Sequence, residues 1–193
     1  QSFFRDGEPN IATARAGNVI GGGDWATDRI VPDCVRAWSE GKSVIIRNPH
    51  ATRPWQHVLE PLSGYLNLGQ KLFQGDPGVK NQSFNFGPQS RVSQSVAELI
   101  AEIAKYWPKA RWESQQETDS QKPESTLLKL NCDKALQMLR WSAVLDFQET
   151  VDLTGKWYQI FYNEGAASIS ETTSSQIRKY TEKANRSKHS WAR

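Results

Sequence analysis

The sequence predicts an α/β fold, because short apolar segments alternate with longer segments of helical periodicity through most of its 193 residues. The short segments are rich in β-branched or aromatic residues and are bounded by Gly, Pro and Asn, as strands are. Apolar residues make up 37% of the chain, which is enough to build a core. We expect one ordinary domain or a large part of a two-part enzyme.

The first elements are a strand and a loop. Residues 11–20 predict a buried strand, and residues 21–24, Gly-Gly-Gly-Asp, end it. The preceding residues 1–10 resemble the end of a helix followed by a turn. Because a domain seldom begins inside a helix, we expect the chain to start downstream of its true origin.

The middle of the chain predicts two helices, each followed by a strand. A helix is expected from Ile30 to a stop at Gly41, followed by a strand at 44–46. A second helix, from 58 to 75, carries a stripe of Leu62, Leu66 and neighbouring apolar residues. A strand at 83–86 then ends at Gly-Pro.

Helix caps mark the last elements. Ser95 with Glu98, and Asp146 with Glu149, have the spacing of capping boxes, and each pair precedes an apolar stripe. Between them, residues 127–130 alternate as a strand does, and Asn131 can cap a short helix. Both pairs therefore predict the starts of helices.

Several protein classes are poor candidates. No apolar run approaches the ~20 residues of a membrane helix, and the first residues lack a signal-peptide pattern. Two cysteines, Cys34 and Cys132, cannot make a disulfide framework, and no Cys/His spacing indicates zinc. We predict a cytoplasmic protein that contacts no membrane and holds no metal.

The net charge of +3 depends on the end of the chain, where residues 176–193 contain six Lys and Arg and one acid. Such an end can touch nucleic acid, but more often it is solvated and mobile. We therefore predict a flexible basic tail over 166–193 and no nucleic-acid partner.

Polar residues at predicted strand ends are the first candidates for ligand binding. Asn18 ends a strand, and the carboxyl ends of strands are where ligands bind in open α/β sheets. The glycines at 21–23 could expose N–H groups to a phosphate, or they could form a plain loop. Asn85 could bind a ligand or a neighbouring main-chain group. The residues alone leave these alternatives open.

The second candidate is the segment from Arg47 to His57. The planar guanidinium of Arg53 suits a phosphate or carboxylate, because it bonds two oxygens together. Alternatively, this segment is a surface loop pinned by Trp55, with Arg53 paired to a carboxylate such as Glu60. His57 could be an acid or base, although a packing role is commoner.

Together these segments resemble extended short-chain dehydrogenase/reductases that act on nucleotide sugars, and among them the CDP-glucose dehydratases. The specific stretches are ARAGNVIGGGDWATDRIVPD and VIIRNPHATRPWQHVLEPLSGYL, with NFGP and KLNCDKA in support. The resemblance covers roughly residues 1–162. It implies an α/β fold that is the C-terminal part of an extended Rossmann-type enzyme with a small substrate-binding domain.

The resemblance also implies a division of the chain. Residues 1–24 would be the last helix, strand and loop of the dinucleotide-binding fold. Residues 25–165 would mainly form the nucleotide-sugar-binding portion, with some returning sheet elements, ahead of the tail at 166–193.

Roles for individual residues follow from the same resemblance. Ala16 and Gly17 would lie beside the nicotinamide of NAD. Asn18 and Arg53 would contact the substrate diphosphate. The remaining substrate-binding residues would be Arg29, Ile30, Ile45, Arg47 and Asn85, of which Ile30, Ile45 and Arg47 match a base pocket and Asn85 lies near the nucleotide.

The implied activity is NAD-dependent 4,6-dehydration of CDP-glucose, a lyase reaction that leads to the deoxysugars of bacterial O-antigen lipopolysaccharide. The full-length enzyme is expected to be a dimer or tetramer. The alternatives are another nucleotide-sugar epimerase or reductase of this superfamily, or a non-catalytic module that binds nucleotide sugars.

The sequence departs from the family in two features. It has no Gly-rich dinucleotide loop and no Tyr-x-x-x-Lys, since no tyrosine is followed by lysine four residues later. Where many relatives carry a second diphosphate-binding arginine, Lys122 is a weak substitute. We therefore expect a fragment that begins shortly after the catalytic lysine and is inactive alone.

Overall fold

The structure is a computed structural model that describes residues 9–88, 94–114 and 130–192. The strands are β1 (Thr13–Ala16), β2 (Val19–Ile20), β3 (Val44–Ile46), β4 (Thr52–Arg53), β5 (Gln56–His57), β6 (Ser83–Phe86), β7 (Gln94–Ser95) and β8 (Trp112–Ser114). The helices are α1 (Ile30–Ser39), α2 (Leu59–Phe73), α3 (Val96–Ala104), α4 (Asp133–Leu139), α5 (Phe147–Glu164) and α6 (Ile169–Arg186).

The strands form four pairs, three of them parallel. β1 pairs with β6, β2 with β5 and β3 with β8 in parallel, whereas β4 and β7 are antiparallel. Parallel neighbours need crossover connections, and each of the three contains a helix: α1 lies between β2 and β5, α2 and α3 between β3 and β8, and both α1 and α2 between β1 and β6. The α/β class predicted from the sequence is confirmed.

The main core lies where α1, α3 and α5 pack together. Its most buried side chains include Val35, Leu99 and Tyr158, each fully or almost fully enclosed. Cys34 belongs to this core, and burial raises the pKa of its thiol to about 12. The helices expected from 30, 58, 95 and 146 are present, and both predicted capping boxes form.

The strand expected over residues 11–20 differs from the structure. It divides at residues 17–18 into β1 and β2, and the side chains of Thr13, Ala14 and Arg15 are exposed rather than buried. Among the described strands β1 pairs with β6 alone, which leaves its second edge uncovered. The prediction of a buried strand is therefore wrong for residues 13–15.

The buried side of α2 also differs from the one that the sequence predicted. Leu66 and Phe73 are 75% and 93% exposed, whereas Ser63 and Asn67 are buried. Asn67 Nδ2 donates to the Leu139 carbonyl at 2.9 Å, so its burial leaves this amide paired. Leu62, Leu66 and Phe73 of the predicted stripe thus lie on the exposed side of the helix, whereas its other two leucines are partly buried.

The predicted flexible tail is ordered in the structure. α6 buries Gln176, Tyr180 and Ala184, and Gln176 Nε2 donates to the Leu153 carbonyl at 2.8 Å. Trp191, in a short 3-10 turn, stacks on Tyr180 with ring centroids 5.8 Å apart. The prediction of a flexible segment is therefore wrong. Its polar composition hides the fact that three residues, spaced four apart on one side of the helix, anchor it to the core.

Some sequence expectations lie outside the described residues. These are the helix end within residues 1–8, most of the strand at 127–130, and Lys122. Within the described ranges, no helix combines the length and hydrophobicity needed to cross a membrane.

Candidate functional site

A cleft of about 690 Å³ lies where the ends of β1, β2 and β3 meet the start of α1 and the strand β4. Eight of the nine residues implied as cofactor or substrate contacts line it. They are Ala16, Gly17, Asn18, Arg29, Ile30, Ile45, Arg47 and Arg53. Residues far apart in sequence therefore meet in one cavity at the carboxyl ends of parallel strands, where such folds bind ligands.

The floor of the cleft is main chain held in place by hydrogen bonds. Gly17 N donates to the Phe86 carbonyl at 3.2 Å, and Gln56 N donates to the Asn18 carbonyl at 3.0 Å. A Cβ atom on Gly17 would lie only 2.9 Å from Pro54 Cγ, so this position requires close approach of the backbone. The strand ends that carry Asn18 are thus rigidly placed.

Two ion pairs stand on the walls of the cleft. Arg29 lies 3.5 Å from Asp24, and Arg47 lies 3.9 Å from Asp28. The arginine side chains are 60% and 76% exposed, and exposed pairs contribute little stability. Either guanidinium can therefore exchange its carboxylate for an anionic ligand at small cost.

Arg53 is half-buried on β4 and faces the same cleft. Its Nη1 donates to the Thr52 carbonyl at 2.9 Å, and β4 is fixed by its pairing with β7. Nearby Trp55 is buried, and its Nε1 donates to the Gln94 carbonyl at 3.1 Å. Trp55 therefore anchors the segment from Arg47 to His57, as the surface-loop alternative predicted. That pinning places Arg53 in the cleft rather than removing it.

The proposed pairing of Arg53 with Glu60 is wrong. Glu60 is buried, and its Oε1 accepts from the N–H groups of Val144 at 2.9 Å and Leu145 at 2.7 Å. Its Oε2 contacts the Tyr180 hydroxyl. The carboxyl group is thus committed to partners away from the cleft.

An apolar patch adjoins the charged walls. In β3 the side chains of Val44 and Ile46 are buried, whereas Ile45 between them is 69% exposed and lines the cleft. Partly buried Ile30 lines the cleft as well. Apolar and cationic surface thus stand side by side, as the binding of a flat base linked to phosphates requires.

The glycine-rich turn serves packing. A Cβ atom on Gly22 would lie 1.9 Å from the Trp157 ring, and Gly23 has a φ of +82°. Tyr158 donates its hydroxyl to the Asp24 carbonyl at 2.6 Å, which fixes the end of the turn. These contacts favour the plain-loop alternative over a phosphate cradle.

Two further candidates lie outside the cleft. His57 is buried, its Nδ1 accepts from Leu59 N at 3.3 Å, and burial lowers its pKa to about 4. This is the environment of a packing histidine. Asn85 does not line the cleft. Its Nδ2 donates to the Asn131 carbonyl at 3.1 Å, so in this structure Asn85 bonds a main-chain group rather than facing the ligand cleft.

Sequence reasoning missed the acidic residues of the cleft. Asp24 and Asp28 line it and pair with the two wall arginines, and Asp28 has a φ of +61°. The sequence signal that could have revealed them is that Asp24 and Asp28 lie within five residues of Arg29. Among the described residues, no group of three or more His, Cys, Asp or Glu side chains could hold a metal ion.

Comparison with known proteins gives a sequence relative and several structural ones. The chain is 42% identical over 151 residues to the CDP-glucose 4,6-dehydratase of Salmonella typhimurium, a match that covers 77% of this chain and 41% of that enzyme. No family model matches the chain.

Solved structures share the fold at low identity. A UDP-glucose-4-epimerase from Stenotrophomonas maltophila superposes with a TM-score of 0.65 at 18% identity, covering 80% of this chain and 49% of the epimerase. A UDP-glucuronic acid 4-epimerase from Bacillus cereus gives 0.64 at 15% identity, covering 79% and 46%. A dTDP-glucose 4,6-dehydratase from Bacillus anthracis gives 0.58 at 16% identity, covering 77% and 44%.

The chain spans less than half the length of each of these proteins. In sequence it matches part of a CDP-glucose 4,6-dehydratase, and in structure it shares part of the Rossmann-type fold of the two epimerases and the dTDP-glucose 4,6-dehydratase.

Proposed function

We propose that this chain is the nucleotide-sugar-binding portion of a CDP-glucose 4,6-dehydratase. The observation that carries the proposal is the 42% identity to the Salmonella enzyme. The epimerases are matched at only 15–18% identity, a level at which the fold alone is shared. Sequence similarity therefore favours dehydration over the epimerase alternative.

The cleft has the chemistry that a nucleoside diphosphate needs. Three arginines reach it from different elements, and a guanidinium fork bonds paired phosphate oxygens. We assign the diphosphate to Arg53 and Asn18, because the pairing of β4 with β7 and the main-chain hydrogen bond at Asn18 hold the backbone of both residues at the cleft. Ile30, Ile45 and Arg47 would then take the base.

NAD is the proposed cofactor, with its nicotinamide against Ala16 and Gly17. Both residues line the cleft, and Ala16 has no side chain beyond Cβ, so a flat ring can approach the main chain there. When bound, NAD would accept a hydride from C4 of the sugar and return it to C6 after water has left. The 193 residues contain no G-x-G-x-x-G dinucleotide loop and no Tyr-x-x-x-Lys, so this chain offers neither that pyrophosphate site nor the catalytic pair.

A hybrid enzyme tests this function. Residues 9–162 would replace the matching part of the Salmonella dehydratase, and product would be measured with CDP-glucose and with dTDP-glucose. We expect the hybrid to release 4-keto-6-deoxy product from CDP-glucose, and the 193-residue chain alone to release none. A folded hybrid that binds NAD but leaves CDP-glucose unchanged would contradict the proposal.

Three finer expectations accompany this function and stay predictions. They are a homo-oligomeric full-length enzyme, a cytoplasmic location and a place in O-antigen deoxysugar synthesis. Sedimentation of the hybrid and fractionation of the source cells would test the first two.

A further inference from the structure

A closed polar cluster lies between α2 and the C-terminal helix α6. It consists of Glu60, Ser63, Trp141 and Tyr180, hereafter the Glu60 cluster, and all four side chains are buried. Glu60 and Ser63 belong to α2, Trp141 follows α4, and Tyr180 belongs to α6. The cluster therefore joins α6 to the rest of the molecule.

Four short contacts link the cluster. Tyr180 Oη lies 2.9 Å from both Glu60 Oε2 and Ser63 Oγ. Ser63 Oγ lies 2.8 Å from the Glu60 carbonyl oxygen, and Trp141 Nε1 lies 2.9 Å from Ser63 Oγ. All four are hydrogen-bond distances, so each needs one hydrogen atom.

The supply of hydrogens determines the protonation state of Glu60. Trp141, Ser63 and Tyr180 provide one hydrogen each, which is three for four contacts. With an ionised Glu60, one contact would bring two oxygens together without a hydrogen between them. With a protonated Glu60, the carboxyl donates to Tyr180, Tyr180 to Ser63, and Ser63 to the Glu60 carbonyl, while Trp141 donates to Ser63.

We propose that Glu60 is a proton-operated clasp for α6: its carboxyl group carries a proton while α6 is docked and loses it to solvent as α6 is released. The other oxygen, Oε1, suits this state because it accepts from Val144 N and Leu145 N as a carbonyl would. Burial raises the pKa of Glu60 to about 7, which agrees with the hydrogen count.

A route for the proton exists beside the carboxyl group. A cavity of about 150 Å³ adjoins Glu60 and is also lined by Gln56 and Lys183. Gln56 Oε1 is buried without a hydrogen-bond partner, so the cavity offers a polar wall and room for water. Water there can carry the proton to and from Glu60.

The other titratable and charged groups around Glu60 come from three elements. His57 lies on β5, Asp146 and Glu149 stand at the start of α5, and Lys183 and Tyr180 belong to α6. Lys183 pairs with Glu149, so opposite charges face each other there. His57 stays neutral above pH 6, because burial lowers its pKa to about 4, and burial raises the pKa of Tyr180 well above its usual value.

The sign of the pH effect follows from the raised pKa. Docked Glu60 holds its proton up to about pH 7, whereas a released, solvated Glu60 would hold it only to about pH 4.3. Docking is therefore strongest below about pH 4.3, weakens as the pH rises from there to about 7, and levels off above that. Between pH 6 and 8 the docking equilibrium should fall about tenfold.

Hydrogen exchange of the α6 amides in the 193-residue chain tests the clasp. Glu60→Gln supplies the missing hydrogen at every pH, since its amide donates to Tyr180 while Oε1 still accepts. We expect the ratio of wild-type to Glu60→Gln opening in α6 to rise about tenfold from pH 6 to pH 8. Comparing the two proteins at one pH cancels the intrinsic exchange rate and the contribution of His57.

Glu164→Gln is the matched control, because it makes the same change at an exposed position, and it should behave as wild type. A wild-type to Glu60→Gln ratio that stays constant with pH would overturn the proposal. If Glu60→Gln fails to fold, the carboxyl of Glu60 can be titrated in wild type by carbon NMR. A midpoint near 7 supports the clasp, and an ordinary midpoint of about 4.3 overturns it.

Discussion

The cleft and the Glu60 cluster are both rich in polar residues, but the polar groups of the two regions have different kinds of partners. In the cleft, Arg29 and Arg47 are mostly exposed and form loose ion pairs of 3.5 and 3.9 Å. In the Glu60 cluster, buried groups contact one another at 2.7–2.9 Å. Groups with replaceable partners suit a ligand, whereas groups with buried partners hold the fold together.

This contrast predicts a division of effects. Substitutions in the Glu60 cluster should change stability and leave ligand affinity alone, and substitutions in the cleft should do the reverse.

Glu60→Ala should lower the free energy of unfolding by about 3–5 kcal/mol, because it leaves two buried N–H groups without their acceptor and the buried Tyr180 hydroxyl without its Glu60 partner. Urea denaturation at pH 6 measures this loss. Glu164→Ala, at an exposed position, serves as control and should cost little. A loss below about 1 kcal/mol in Glu60→Ala would show that the cluster is not essential to the fold.

Two glycines of α2 give a matched pair. A Cβ atom on Gly64 would lie 2.2 Å from the Phe86 ring, whereas Gly69 has nothing within 4 Å. We expect Gly64→Ala to destabilise by about 1–3 kcal/mol through overpacking. Gly69→Ala should stabilise by about 0.5–1 kcal/mol through helix propensity. Melting temperatures that move in the same direction for both variants would contradict the assignment of the two sides of α2.

Arg47→Ala should have the smallest effect. The side chain is 76% exposed and its ion pair with Asp28 is long, so the melting temperature should not change. Affinity for CDP should fall only about two- to fivefold, since an exposed guanidinium contributes weakly. A large drop in melting temperature would mean that the wall of the cleft supports the fold.

Much of the fold could be predicted because local signals coincide with it. Ser95 with Glu98, and Asp146 with Glu149, form the capping boxes that their sequence spacing predicts. The helix that begins at Ile30 ends before Gly41, whose φ is +71°. Such signals act within a few residues, so they survive without knowledge of the tertiary structure.

The errors came from long-range packing. Periodicity showed that α2 is a helix, but burial of its polar side depends on Leu139, Val144 and Tyr180, which lie 70–120 residues away. Tyr180 likewise anchors a segment whose composition indicates flexibility. In the cleft, the residues implied by family resemblance were brought together apart from Asn85, whose partner is the Asn131 carbonyl.

Calorimetric titration of CDP and of cytidine into the 193-residue chain and its Arg53→Ala variant tests the central claim, that the cleft binds a nucleoside diphosphate. Hydrogen bonds to charged groups contribute roughly 1.5–3 kcal/mol each, so Arg53→Ala should weaken CDP binding about ten- to a hundredfold. Arg53→Lys should recover only part, because lysine lacks the guanidinium fork. Cytidine, without phosphates, should bind both proteins equally weakly, and the melting temperature should stay unchanged. Equal CDP affinity in wild type and Arg53→Ala, or no detectable binding of CDP to either, would contradict the account.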